Sequence, residues 1–200
     1  MKPGAKPDRF TARAHQEGFA ARSVYKLEEI DRRCRVFRTG QRVLDLGAAP
    51  GSWTQWMVPR VGGKGAIVAV DLNPLKVKVP AYVQAMQFDV LAAPLDEFAK
   101  LGPFDVVVSD MAPHTSGVQD ADAARSAELV DRAIDIADAC LAPGGHFVAK
   151  IFQGAEFEAV RKRLRERYET VRVLKPEASR KESVEIYLVG LGRTVKAPTP

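Results

Sequence analysis

Charged side chains recur at the ends of the predicted β-strands of this 200-residue chain. Asp71 ends "AIVAVD", Asp89 ends "YVQAMQFD", Asp110 follows "FDVVVS", and Lys150 lies late in "HFVAKIF". Core packing requires no charge at these positions, whereas ligands of open α/β sheets bind beyond the carboxyl ends of the strands. Glu185, at the start of "SVEIYLVGL", joins the same edge if that strand runs antiparallel. The pattern therefore predicts a ligand-binding site at one edge of the sheet, where four carboxylates and one lysine collect.

A glycine-containing turn is predicted between the first strand and a helix, in "DLGAAPGSW" at residues 45–53. Its glycines permit close approach of a ligand, but the spacing is not the G-x-G-x-x-G of nicotinamide dinucleotide sites. Asp71 follows Gly51 by about 20 residues, the distance at which a carboxylate can bind ribose hydroxyls. Asp89 could then bind an adenine amino group, and Trp53 could pack near the cofactor. Two other interpretations stay open, with Asp71 as the cap of a turn and Trp53 as a core aromatic residue.

The order of the predicted elements indicates the fold class. Strands alternate with helices up to the sixth strand, "TVRVLK", which is typical of a doubly wound α/β sheet. Only "PEASRKE" separates the sixth strand from the seventh, and a crossover between parallel neighbours requires a dozen or more residues. We therefore predict a seven-stranded, mostly parallel sheet with an antiparallel last strand. Residues 1–20 are predicted to be basic and loosely ordered. Residues 21–193 are predicted to form one domain, and Ser23 is predicted to cap its first helix. Residues 194–200 are predicted to form a tail.

Charge is segregated along the chain. Residues 1–42 hold eleven Lys/Arg against five Asp/Glu, residues 43–160 eight against fifteen, and residues 161–181 nine against three. Two basic segments around an acidic middle favour a polyanionic partner, most simply nucleic acid, over two solvated helix faces. No stretch approaches the roughly 20 apolar residues of a membrane span, and the N-terminus lacks the apolar core of a signal peptide. Cys34 and Cys140 lack metal-ligand spacing, so we expect no metal, no disulfide and a cytoplasmic location.

Four stretches together resemble a known family. "DLGAAPGSW", "SDMAP", "LAPGG" and "VAKIFQG" are similar to motifs of the FtsJ/RrmJ family of S-adenosylmethionine-dependent RNA 2′-O-ribose methyltransferases, and the resemblance covers roughly residues 12–193. It implies a Rossmann-like class I methyltransferase fold, with helices on both faces of the sheet, and S-adenosylmethionine as the cofactor. The catalytic tetrad of the family matches Lys26, Asp110, Lys150 and Glu185. Its cofactor-binding positions match Gly51, Trp53, Asp71, Asp89 and Asp110.

The resemblance also implies a reaction and a partner. The reaction is methyl transfer from S-adenosylmethionine to the 2′-hydroxyl of a ribose, most closely a uridine of large-subunit (23S) ribosomal RNA in the assembled subunit. A catalytically silent RNA-binding or ribosome-assembly module and a 2′-O-methyltransferase of tRNA remain as alternatives. Base methyltransferases are disfavoured because "NPPY" and a Pro-Cys pair are absent. We expect a monomer that binds the large ribosomal subunit and no membrane. Ser52 and His114 depart from the Gly and Asn expected in the family, and neither is a tetrad position.

Lys150 has two possible roles in such a reaction. A lysine acts as a base only if its pKa falls towards the working pH, which partial burial and a nearby second cation, Lys26, would favour. Alternatively, Lys150 stays charged and stabilises the developing alkoxide. Asp110 is expected to orient the amine, and Glu185 to orient Lys26 or to bind the ribose. The sequence leaves both roles open.

Overall fold

The structure, a computed structural model, describes residues 8–180 and 182–194. Within these residues the chain forms seven strands and six helices. The strands are β1 (Arg42–Leu46), β2 (Ala66–Asp71), β3 (Val83–Gln87), β4 (Phe104–Ser109), β5 (Leu141–Phe152), β6 (Tyr168–Leu174) and β7 (Glu185–Arg193). The helices are α1 (Arg9–Gln16), α2 (Val24–Cys34), α3 (Ser52–Val61), α4 (Leu95–Leu101), α5 (Gln119–Cys140) and α6 (Phe157–Arg165). In the part of the chain so described, every helix is too short or too polar to cross a bilayer.

All seven strands form one sheet in the order β3-β2-β1-β4-β5-β7-β6. The pairings of β1 with β2 and β4, of β2 with β3, and of β4 with β5 are parallel. Strand β7 is inserted between β5 and β6 and pairs antiparallel with both. The predicted seven-stranded sheet with an antiparallel last strand is therefore confirmed. Because β1 has β2 on one side and β4 on the other, the chain reverses its winding there, which is where open α/β sheets bind ligands.

Side chains alternate between two hydrophobic cores on the two faces of the sheet. In β1, Leu44 and Leu46 pack towards α4, α5 and α6, whereas Val43 packs towards α1, α2 and α3. The inner strands β1, β2 and β4 are buried on both faces, as expected for parallel strands that are covered by helices. The predicted helices on both faces are confirmed.

Helix α1 corrects the prediction that residues 1–20 are loosely ordered. The carboxylate of Asp8 caps this helix by accepting hydrogen bonds from the backbone N–H groups of Phe10 (3.0 Å) and Thr11 (3.1 Å). The ring centroid of Phe10 lies 5.7 Å from that of Tyr25 on α2, and Ala14 is buried between the helices. Local capping and these apolar contacts order a segment that looks polar in composition. The prediction for residues 1–7 and for residues 195–200 of the tail lies outside the described residues.

The beginning of α2 also differs from its prediction, because the side chain of Ser23 makes no capping hydrogen bond. Its hydroxyl lies 2.9 Å from the hydroxyl of Ser52, the first residue of α3. Its carbonyl accepts a hydrogen bond of 3.0 Å from the indole N–H of Trp53. Ser23 thus fastens the start of α2 to the glycine turn, and this contact fixes the position of Lys26 one turn further along α2.

Candidate active site

A cavity of about 300 Å³ opens at the carboxyl edge of the sheet, where the winding reverses. Its walls come from the turn after β1, the ends of β2 and β4, and the loop after β3. The residues that line it are Gly47, Ala49, Asp71, Leu72, Asn73, Asp89, Val90, Leu91, Asp110, Met111, Ala112, His114 and Leu129. Three of the carboxylates predicted to share an edge therefore line one cavity.

Close contact between the glycine turn and the loop after β4 shapes this cavity. Gly47 has a φ of +75°, and a Cβ atom at this position would lie 2.7 Å from the Cγ of Met111 and 2.9 Å from its backbone nitrogen. The N–H groups of Gly47 and Ala48 both donate to the carbonyl of Val70 at the end of β2. A side chain at Gly47 would be strained and would push the turn away from β4, so only glycine suits this position.

Asp71 both caps a turn and lines the cavity. One carboxylate oxygen accepts a hydrogen bond from the N–H of Ala49 (3.0 Å), and the other accepts one from the N–H of Asn73 (2.7 Å). Asp89 forms a similar short turn by accepting from the N–H of Leu91 (2.8 Å). Each carboxylate oxygen can accept more than one hydrogen bond. Both groups are thus held rigidly and keep acceptor capacity towards the cavity.

Asp110 and Lys150 form an ion pair at the ends of β4 and β5. The ammonium of Lys150 lies 3.1 Å from the carboxylate of Asp110 and donates a hydrogen bond of 2.6 Å to the backbone carbonyl of the same residue. The hydroxyl of Tyr187 donates to that carboxylate at 2.9 Å. Burial, with the negative charge of Asp110 beside it, raises the pKa of Tyr187 well above 10, so this phenol remains a neutral donor. The amine of Lys150 is therefore fixed by two acceptors of one residue.

Lys26 and Glu185 form the second ion pair of the predicted tetrad. Their side chains lie 2.5 Å apart and are 11% and 13% exposed. The ammonium of Lys26 lies 6.0 Å from the ring centroid of Tyr187, whose hydroxyl reaches Asp110. Tyr187 thus links the two ion pairs, and the four residues predicted as a tetrad lie in one continuous cluster. Of the two roles predicted for Glu185, the geometry favours orientation of Lys26.

Gly51 and Trp53 do not line the cavity. Gly51 begins α3 with a φ of +116°, and a Cβ atom at this position would lie 2.4 Å from a methyl group of Val77. Trp53 is 2% exposed, and its ring centroid lies 5.9 Å from that of Tyr187. The structure thus places Trp53 in the core, the alternative interpretation of this residue. Both residues hold α3 and the glycine turn in place behind the cavity.

Two residues of this region were missed by the sequence analysis, Tyr187 and Asp45. Asp45 is fully buried on β1 and accepts a hydrogen bond of 2.7 Å from the hydroxyl of Thr54, but its second oxygen has no partner among the described residues. Burial raises the pKa of Asp45 to about 7; the bond from Thr54 opposes this shift, and the charges of Asp110 and Asp71 add to it. The sequence feature that could have revealed Asp45 is a charged residue within an otherwise apolar strand.

Replacing Asp45 with asparagine should weaken the pH dependence of stability. The carboxyl has a pKa of about 7 in the folded protein and 3.8 as its ordinary value, so the folded state holds the proton more tightly. The contribution of Asp45 to the free energy of unfolding is fully present below pH 3.8 and is lost as the pH rises through 7. Between pH 5 and pH 8, the free energy of unfolding should fall by roughly 2–3 kcal/mol for this reason. Urea unfolding at both pH values should show that Asp45→Asn removes this difference. The exposed control Asp96→Asn should keep it, and an unchanged difference in Asp45→Asn would show that Asp45 is ionised throughout.

Part of the second basic segment is neutralised within the protein. Arg163 on α6 pairs with Asp131 (2.8 Å) and Asp135 (2.5 Å) of α5, and Arg167 pairs with Asp138 (2.8 Å). These contacts tie α6 to α5 and use charges that the linear sequence presented as free.

In the described ranges, no cluster of three or more His, Cys, Asp and Glu side chains is arranged to hold a metal ion.

Comparison with known proteins gives consistent matches. A family model described as FtsJ-like methyltransferase matches residues 19–193. The protein named ribosomal RNA large subunit methyltransferase E from Sorangium cellulosum is 51% identical over 197 residues, which cover 98% of this chain and 93% of the relative. The protein of the same name from Syntrophobacter fumaroxidans is 49% identical over 186 residues, which cover 92% of this chain and 94% of the relative. A Plasmodium falciparum structure described as a putative ribosomal RNA methyltransferase has a TM-score of 0.78 at 23% identity. The match covers 89% of this chain and all of that one. At this identity, the likeness shows the fold alone.

Proposed function

We propose, from the premise that this chain belongs to the FtsJ-like methyltransferase family, that it methylates the 2′-hydroxyl of a ribose in large-subunit ribosomal RNA. The observation that carries this proposal is the cluster of two ion pairs, Asp110–Lys150 and Lys26–Glu185, beside the cavity. It provides fixed amines where a weakly acidic hydroxyl has to lose its proton. The relatives named ribosomal RNA large subunit methyltransferase E support the choice of large-subunit ribosomal RNA. The target that we propose within it is a uridine of 23S RNA.

The cavity residues suit S-adenosylmethionine. When bound, this molecule supplies a methyl group on a positively charged sulfur. Asp71 would accept hydrogen bonds from the ribose hydroxyls, and Asp89 one from the adenine amino group, since both carboxylates line the cavity. Gly47 lets the turn that walls the cavity pack against the loop after β4, because any Cβ atom there would meet Met111. The solved structure of human methyltransferase-like protein 13, with a TM-score of 0.59, is a complex with SAH, which agrees with this choice of ligand.

Gly51 and Trp53 would contribute to cofactor binding indirectly. Gly51 lets α3 begin next to Val77, and Trp53 anchors the start of α3 to Ser23. We therefore assign them the positioning of the glycine turn, while Asp71, Asp89 and Asp110 face the ligand. This assignment keeps all five residues predicted for the cofactor in the site and divides them into two roles.

Lys150 would act on the substrate oxygen as a charged group. Two of its three N–H bonds point to acceptors of Asp110, which leaves one donor for the 2′-oxygen of the substrate. A fixed positive charge next to that oxygen stabilises the negative charge that develops as the hydroxyl gives its proton to water, before the oxygen takes up the methyl group. Holding the oxygen in line with the methyl group lowers the barrier further. Lys26, held by Glu185, adds a second positive charge on the same side.

Incubation with labelled S-adenosylmethionine, followed by nuclease digestion and mass spectrometry of the nucleosides, tests this function. A 2′-O-methylated nucleoside from ribosomal RNA is the expected product, and its neighbours in sequence name the position. Tight RNA binding without any product would support a silent ribosome-assembly module, and a product found only in tRNA would identify a tRNA enzyme.

An assembled or partly assembled large ribosomal subunit should be methylated faster than protein-free ribosomal RNA. The described residues form one seven-stranded sheet with six helices, which leaves little surface for reading an RNA sequence, and phosphate contacts position RNA without specifying its sequence. Recognition must then depend on the shape of the RNA around the target ribose, which ribosomal proteins help to create. Initial rates on purified subunits and on deproteinised RNA, measured at one salt concentration, check this. Equal or faster methylation of the free RNA would contradict recognition by shape.

A further inference from the structure

We infer that a second cavity, beside the tetrad, binds a backbone phosphate of the RNA next to the ribose that is methylated. This inference rests on the proposed function and names the contact that holds its substrate. The cavity measures about 220 Å³ and is separate from the one lined by Asp71 and Asp89. Its lining residues are Arg22, Lys26, Arg180, Ser183 and Glu185.

The charges around this cavity favour a single anion. Three cationic side chains and one carboxylate line it, and that carboxylate, Glu185, is already paired with Lys26 at 2.5 Å. The guanidinium of Arg22 is fixed by Asp8 and by the backbone carbonyl of Ala178. Arg180 is exposed and forms no ion pair with any residue in the described ranges. An anion would therefore meet one pre-positioned arginine and one arginine whose charge is uncompensated.

The hydroxyl groups here suit an acceptor ligand. The oxygen of Ser183 accepts a hydrogen bond from the N–H of Glu185 (3.2 Å), so its own hydrogen remains free to be donated. The hydroxyl oxygen of Ser179 is buried without a partner among the described residues, and it lines a wider depression of about 540 Å³ that shares Arg22 and Arg180 with the cavity. The free hydroxyl donor of Ser183 beside two arginines matches the oxygens of a phosphate group.

The position of the cavity identifies the source of the phosphate. Lys26 and Glu185 belong both to its lining and to the tetrad, so an anion held here lies next to the reacting ribose. In RNA, the phosphates nearest to a ribose are its own backbone neighbours. The wider depression also holds three arginines, but three carboxylates line it as well, those of Asp8, Glu177 and Glu182, so the excess of positive charge is confined to the cavity. Binding the adjacent phosphate would align the 2′-oxygen with Lys150.

The test compares Arg180→Gln and Ser183→Ala with Arg165→Gln, which replaces an exposed arginine of α6 on the other face of the sheet. The RNA contains the nucleotide found to be methylated by the wild-type protein. We expect Arg180→Gln to weaken RNA binding about tenfold and to lower the log–log salt slope by about 0.7–0.9, the value for one phosphate contact. Ser183→Ala should weaken binding less and leave the slope unchanged. Affinity for S-adenosylmethionine should stay within twofold, and Arg165→Gln should match the wild type.

A series of RNAs with one neutral methylphosphonate linkage each identifies the phosphate. One linkage beside the target ribose should weaken wild-type binding about tenfold and should have no further effect in Arg180→Gln. Equal losses in both proteins, or no sensitive linkage, would overturn the inference while leaving 2′-O-methylation by the wild type intact. Competition by inorganic phosphate at fixed ionic strength, without any sensitive linkage, would show that the cavity holds a free anion instead. If the wild type methylates no RNA, the proposed function fails and the inference fails with it.

Discussion

Replacing Lys150 with alanine should lower the rate of methyl transfer by roughly a hundred- to ten-thousandfold, the range for loss of a fixed proton-transfer or charge-stabilising group. The side chain is 8% exposed and is held by the carboxylate and the carbonyl of Asp110, so no other group takes its place. It does not line the cavity with Asp71 and Asp89, and cofactor affinity should therefore change little. Single-turnover rates and isothermal titration with S-adenosylmethionine measure the two effects separately.

The variant Lys150→Arg distinguishes the two roles of Lys150. Arginine stays charged, so it should retain part of the activity if charge stabilisation is the role of Lys150, and none if a neutral base is required. Circular dichroism and thermal unfolding establish that each variant is folded. Near-normal turnover of a folded Lys150→Ala protein would remove Lys150 from the mechanism.

Replacing Asp71 with asparagine should weaken binding of S-adenosylmethionine by roughly ten- to a hundredfold, because a charge-assisted hydrogen bond contributes about 1.5–3 kcal/mol. Asparagine has the same shape but only one acceptor oxygen, so it keeps one of the two hydrogen bonds from the N–H groups of Ala49 and Asn73. The change in affinity is read from isothermal titration, and thermal unfolding without ligand measures the loss of the turn contacts.

Asp105→Asn is the matched control for Asp71→Asn. Asp105 also accepts a hydrogen bond from a backbone N–H group, that of Arg42 (2.7 Å), but it lies at the start of β4, on the opposite edge of the sheet. This variant should lose stability without losing affinity for the cofactor. If Asp71→Asn binds within twofold of the wild type, Asp71 is only the cap of a turn and the ribose lies elsewhere.

The fold could be predicted from the sequence because its strands are short apolar runs separated by helical patterns. The direction of β7 followed from the length of one connection, since "PEASRKE" is too short for a crossover. The position of β7 between β5 and β6 did not follow, because the same connection would also allow β7 at the edge of the sheet. Helix α1 was missed because its order depends on contacts of Phe10 with Tyr25, which are not local in sequence.

The residues of the site were predictable where a charged residue follows or interrupts an apolar strand. Asp110 and Lys150 are charges at the ends of apolar strands, so their meeting follows from parallel pairing of β4 and β5. Lys26 lies on a helix without any such signal, and only the family resemblance indicated it. Tyr187 could not be distinguished from a core aromatic residue, because its function depends on the single bond of its hydroxyl to Asp110.

The insertion of β7 between β5 and β6 has a consequence for the order of events during synthesis. This strand is the last in chain order, yet it supplies Glu185 and Tyr187 to the site and covers the open side of β5. In a nascent chain that has emerged only as far as β6, the strand that joins β6 to β5 is therefore missing, and Lys26 has no counter-ion. Completion of the sheet and assembly of the tetrad become one step, so a partly synthesised chain on the ribosome has no functional active site.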